Sequence, residues 1–175
     1  MNPIVKQEAS RWGLIMASVS VIFYLIAYLF SLKLFVSIGV PMIAVNIILL
    51  VLAIRSAREQ MEGFIEFKDA FTTAFVANVI ASLIGTAVVI VIFNVLDPSA
   101  ADEIQKIVIE QRIYLAERLK VPEPQIEKMV EDLSSINDFT IANQVRGFFI
   151  GLLFSAAISA ILAAFLKKNK PVIYE

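Results

Sequence analysis

The chain contains neither cysteine nor histidine. Their absence excludes disulfides, thiolate nucleophiles, Cys/His zinc centres, His-ligated haem and every catalytic triad with a His base. A Gly-rich phosphate loop, paired His ligands and a Gly-x-Ser-x-Gly elbow are also missing. Formal net charge is only −1, so there is no basic surface for nucleic acid and no acidic solvating tail. Carboxylates gather in 59–69 and 123–138, but at the spacing of solvated helix faces and caps. No catalytic residue, cofactor site, metal site or nucleic-acid partner is expected, and the chain is read as a non-enzyme. Charge itself is scarce over long distances: Lys33 is the sole charged residue in 12–54, and 70–96 has none.

What fills those stretches is apolar. Hydrophobic residues make up 59% of the 175, against roughly 45–50% in soluble domains, and mean hydropathy is +0.80. A soluble bundle would have to bury these runs all round, which a chain of this length does not readily arrange. The expected fold is therefore all-α: a membrane-spanning helical bundle of four transmembrane helices, with an extramembrane amphipathic helical hairpin between the third and fourth. Lipid bilayer is the first expected partner. The run from Trp12 exceeds the 7–15 apolar residues of a signal peptide, so it reads as a retained span.

The 12–54 stretch is too long for one span of about 20 residues and must fold back. It divides into a first helix over 12–30, a turn within 31–41 marked by Lys33, Gly39 and Pro41, and a second helix ending near Ile54; Pro41 also suits a first helical turn. The organisation expected is an N-terminal hairpin over 1–56, an interfacial connection over 57–69, a third span over 70–96, a helical insert over 97–140, a fourth span with basic end over 141–170, and a tail over 171–175. Phe64 and Phe67 of the connection suit a headgroup layer, with Glu62, Glu66, Lys68 and Asp69 toward water.

Asp97-Pro98 caps the insert's first helix. Its main apolar face is Ile104, Ile107, Val108, Leu115 and Leu119, which leaves Ile109 and Ile113 as a second stripe that the main face cannot bury. After Val121-Pro-Glu-Pro124 a shorter helix presents Ile126, Met129, Val130 and Leu133 for pairing, and 134–138 forms a turn and cap.

Four spans put both termini and the 55–69 connection on one side, and the 31–40 turn with the 97–140 segment on the other. The first side holds Lys6, Arg11, Arg55, Arg58, Lys68, Lys167, Lys168 and Lys170 in short segments, whereas the other holds Lys33 and six more cations spread over more than forty residues. By the positive-inside bias the termini are cytoplasmic and the protein is a multi-pass protein of the cytoplasmic (inner) membrane.

No charged residue lies mid-span; Arg11, Lys33, Asp69, Asp97 and Arg146 fall at span ends, where hydration or snorkelling accounts for them. Asp97 and Arg146 share the outer face and read as interface charges ahead of an ion pair. Asn46 lies in the second span. In the third, Ala74, Asn78, Ser82 and Thr86 recur every four residues: against a helix they form a packing seam, which is the default, and against a cavity they line a polar path. In the fourth, Gly147, Gly151, Ser155, Ser159 and Ala163 form a small-residue row that lets backbones approach, and Ala77, Ala81 and Gly85 offer a matching row in the third. The rows could meet within the chain, join a homo-oligomer, or take a membrane protein partner; intramolecular packing is the default.

Gly63-Phe-Ile-Glu-Phe-Lys-Asp-Ala-Phe71 leading into the third span, Asn94-Val-Leu-Asp-Pro98 leaving it, the charged insert, and a last span ending in Lys167-Lys168 resemble the bacterial membrane proteins of domain-of-unknown-function family 4199. The resemblance implies a link to envelope assembly, with a membrane-associated glycosyltransferase as the kind of partner, and no activity to carry to any residue. The expected role is an accessory or scaffold subunit in the bacterial cytoplasmic membrane. The alternatives are a small transporter or lipid-handling protein using Asn78, Ser82 and Thr86, and a membrane enzyme using the outer carboxylates.

Overall fold

The Asn2 carboxamide oxygen accepts the Ile4 backbone N–H at 3.0 Å and Pro3 occupies the first helical position, so the first helix starts well before the apolar run. This computed structural model describes residues 1–135 and 138–170; the expected 171–175 tail, and residues 136 and 137 of the expected 134–138 turn, lie outside them. Helix α1 is Pro3–Phe30, α2 Leu32–Ser37, α3 Gly39–Gln60, α4 Phe67–Val91, α5 Pro98–Arg118, α6 Glu123–Ser135 and α7 Ile141–Leu166. Four helices, Pro3–Phe30, Gly39–Gln60, Phe67–Leu96 and Ile141–Leu166, are long and apolar enough to cross a membrane. The protein is an all-α helical bundle with the character of a multi-pass membrane protein.

Several boundaries differ from expectation for local reasons. The first span begins nine residues before Trp12 because the Asn2 cap and Pro3 start the helix there, with Lys6 and Arg11 exposed and Val5, Glu8 and Ala9 on its buried face. The chain reverses at extended Ser31, whose side chain caps α2. Lys33, Gly39 and Pro41 thus stand inside helices: Ile38 N donates to Leu34 O at 2.9 Å and Met42 N to Ile38 O at 3.0 Å, carrying α2 almost without interruption into α3. Pro41 sits in α3's first turn, where no N–H is needed. The fourth span is capped by Thr140, which accepts from Asn143 N at 3.3 Å.

Helix α4 is the centre of the bundle and packs most extensively on α1 and next on α7. Its final turn, Ile92–Leu96, is π-helical; Asp97 N closes it on Ile92 O at 2.7 Å, and Asn94 within it donates to Phe139 O at 2.9 Å. Between α3 and α4, Glu62 and Gly63 take positive φ of 60° and 83°, a turn that favours glycine. Ile65 and Lys168 then exchange backbone hydrogen bonds of 2.9 and 2.8 Å. That pair draws the 61–66 connection to the end of α7, so both termini lie at one end, the terminal end; α5 and α6 lie at the other, the insert end.

On α5, Ile104 and Ile107 are buried, as the periodicity predicts; Ala100 and Ala101, which it does not single out, are buried with Ile104 against the π-helical turn and α2. The distal part corrects it. Leu115 and Leu119 are 57% and 69% exposed, whereas Ile109 and Ile113 are partly covered. Ile109 lies with Gln105 and Val108 beside Leu133 of α6, so this member of the stripe judged surplus serves the α5–α6 pairing, while the far end of the main face stays uncovered.

Candidate functional site

Two places in the bundle concentrate polar chemistry. The first is at the terminal end. Glu8 is 0% exposed. Its Oε2 accepts from Trp12 Nε1 at 3.2 Å and from Ser56 Oγ, its Oε1 accepts from Gln60 Nε2 at 2.6 Å, and Arg11 lies 3.5 Å from Oε1. Ser56 and Gln60 are one turn apart on α3, so a single carboxylate ties α1 to α3. A carboxylate has about four acceptor positions, and these partners engage them, which leaves none for a substrate. Glu8 escaped the sequence reading because the first span was begun at Trp12. Continuing the periodicity back through Val5, Glu8 and Ala9 would have placed it on the buried face.

Below this latch the helices touch closely. A Cβ on Gly13 would stand 2.8 Å from Ile80 Cβ and 3.0 Å from Ala77 O. Small side chains at Ala9, Gly13 and Ala17 on α1, and at Ala70, Ala74, Ala77 and Ala81 on α4, are buried. The Ala77 row therefore meets α1. Ser155, Ser159 and Ala163 of α7 are buried, and Asn78 Nδ2 donates to Ser155 Oγ, so the terminal-end part of α7's row meets α4 beside Asn78, and the buried members of both rows pack inside the chain.

The second place is a set of adjoining hollows toward the insert end, where that same row stops packing. Gly147, Gly151 and Gly85 have no atom within 4 Å of where a Cβ would be. One hollow of about 420 Å³ lies among α1, α4 and Phe139, with Tyr24, Phe35, Val88 and Ile92 in its walls and Ser82 and Thr86 on its polar side. A second, of about 460 Å³, is bounded by Ser82, Thr86, Asn143, Gln144, Gly147 and Gly151. A third, of about 150 Å³, separates α3 from α7 between Ile43, Ile47, Phe154 and Ile158. Asn46 and Asn78 border all three. Asn46 Oδ1 is buried with no hydrogen-bond partner, and Ser82 Oγ donates back to Val79 O at 3.1 Å, leaving its lone pairs available.

The four-residue stripe on α4 therefore divides. Ala74 is core, Asn78 both packs and borders the hollows, and Ser82 and Thr86 line space, so the packing default holds only for the terminal half. An aromatic collar closes the insert end: Phe93 lies 5.5 Å from Phe35, 6.0 Å from Tyr28 and 4.7 Å from Phe139 between ring centroids. Asp97 is not paired with Arg146. It accepts from the Tyr28 hydroxyl at 2.6 Å, from Ser99 Oγ at 2.7 Å and from Ala100 N at 3.1 Å, and the Tyr28 hydroxyl foremost, then Ser99, hold its carboxyl below the usual carboxylate range. This contact joins residues 69 positions apart, which no local signal could announce.

The family model described as protein of unknown function (DUF4199) matches residues 11–168. No curated protein and no solved structure matches the chain.

Proposed function

The chain belongs to the DUF4199 family of proteins of unknown function, and we propose that it binds a small molecule inside the membrane, in the insert-side half of its bundle. We place it in the bacterial cytoplasmic membrane with both termini cytoplasmic, a reading supported by the cations of the short segments at the terminal end. The observation that carries the binding role is that Asn46, Asn78, Ser82 and Thr86 border space. Polar groups in a lipid-embedded helix are ordinarily spent on a neighbouring helix, and hollows of about 420 and 460 Å³ fall in the size range of ligand sites, about 300–1,000 Å³. Of the roles weighed, this is the small transporter or lipid-handling protein, and it assigns no catalytic residue.

The absence of cysteine makes the test clean. Single-cysteine variants Ser82→Cys and Thr86→Cys, in membranes, are expected to react with a small water-soluble thiol reagent, while Ala74→Cys, in the packed half, stays unlabelled. Protection of all three alike, both from this reagent and from a bilayer-soluble maleimide, would show that the hollows are closed and end the proposal.

An accessory or scaffold role has its own support in the exposed Tyr114, Leu115 and Leu119 on α5. These lie outside the spans and offer an apolar contact for a membrane protein partner in envelope assembly. Changing Leu115 and Leu119 to Ser is expected to release such a partner in pull-downs from native membranes; an unaltered set of co-purifying proteins would remove this reading.

A further inference from the structure

The hollows also carry information about what they hold. Among the described residues, no charged side chain lines the 420 Å³ or the 150 Å³ hollow, and Asp138, where the connection enters α7, is the one charged residue lining the 460 Å³ hollow. At the depth of Asn46 and Asn78 the polar lining is amide and hydroxyl. A charged group there would be desolvated without a counter-charge, whereas hydroxyl or amide groups would find both donors and acceptors. Asn46 borders all three hollows and its Oδ1 is buried with no hydrogen-bond partner, so a turn of the carboxamide toward the hollow offers an acceptor to such a donor with no existing hydrogen bond of Oδ1 to break.

The hollow between α3 and α7 differs in character. Its walls are Ile43, Ile47, Phe154 and Ile158, with Asn46 and Asn78 at its polar end; Ile43 and Phe154 are exposed on the outer surface of the bundle, where hydrocarbon surrounds a spanning helix. The polar space thus opens sideways through an apolar slot. We propose that the cavity takes the uncharged, hydroxyl- or amide-bearing headgroup of a single amphiphile, whose hydrocarbon chain lies in the slot between α3 and α7. This rests on the binding role proposed above and names its ligand class.

The test uses the full chain, purified in mild detergent, stripped of lipid and examined by native mass spectrometry. The probes share one hydrocarbon chain and differ in headgroup: 1-monooleoylglycerol, oleate and oleyltrimethylammonium. The expected result is a one-molecule adduct with monooleoylglycerol, favoured at least about tenfold over both ions. A Gly147→Leu, Gly151→Leu variant fills the space and should lose the adduct. Because neither glycine is crowded, that variant should fold, as its melting temperature checks; Asn46→Ala, which removes the unpaired acceptor, should weaken monooleoylglycerol alone.

Equal binding of all three probes, abolished by the double leucine variant, would overturn the neutral-headgroup assignment and leave cavity binding standing. Displacement by excess free glycerol would overturn the part given to the chain. No adduct with any probe, or adducts indifferent to the leucines, would overturn cavity binding itself.

Discussion

On α7, Ser155, Ser159 and Ala163 are buried, while Gly147 and Gly151, in the same four-residue register, face open space. Side-chain size does not explain this, since the glycines are the smaller residues. At the terminal end α7 is held to the rest by the Ile65 and Lys168 backbone pair and by Asn78 on Ser155. At the insert end the approach to α7 is held instead by Phe139, against the Phe93 ring and hydrogen bonded to Asn94. Small residues permit two helices to touch; whether they do depends on what anchors the helix ends.

The terminal half should break hardest. Glu8→Ala takes the shared acceptor from half-buried Trp12 and Ser56 and from exposed Gln60, and losing hydrogen bonds to a buried carboxylate costs about 2–3 kcal/mol together. Reversible unfolding of the detergent-solubilised chain measures it, and a loss under about 1 kcal/mol would mean that water replaces the carboxylate. Gly13→Ala comes next: with Ile80 Cβ and Ala77 O within 3.0 Å of the new methyl, α1 and α4 must separate, at about 1–3 kcal/mol. The same change at Gly151 should have the opposite sign. With nothing to strike, alanine's helix propensity adds about 0.5–1 kcal/mol, seen as a raised unfolding midpoint. If Gly13→Ala and Gly151→Ala move stability in the same direction, the division into packed and open halves is wrong.

The smallest effect concerns the collar. Asp97 has its carboxyl depressed from an ordinary value of 3.8. A group lowered in the folded state contributes stability above its unfolded value, and that contribution is lost as pH falls through the folded one. The α5 docking should therefore hold down to about pH 4 and loosen below it. Tyr28→Phe should bring the Asp97 titration, followed by carboxyl NMR, back toward 3.8.

Much of the architecture could be read in advance. The spans, the reversal before the second helix, the Asp97 cap and the family resemblance follow from apolar run length and local motifs. The site was legible in part: Asn46, Asn78, Ser82 and Thr86 stood out as polar residues within apolar runs, but whether they packed or lined a path stayed open. Glu8 was hidden because a charged residue before an apolar run looks like a solvated flank, and its burial depends on Ser56 and Gln60, some fifty positions away. The exposed face of α5 was misjudged because periodicity shows which residues share a face, not how far the opposing helix extends.

By itself the amino-acid order determined that four helices would prefer hydrocarbon and that one polar segment would stay outside, since each span's transfer free energy is a sum over its own residues. Only the tertiary structure decided which faces meet, where α7 leaves α4, and that polar side chains border a hollow. Those outcomes depend on contacts between residues distant along the chain, and a helix's own composition does not encode the tilt at which its neighbour leaves it.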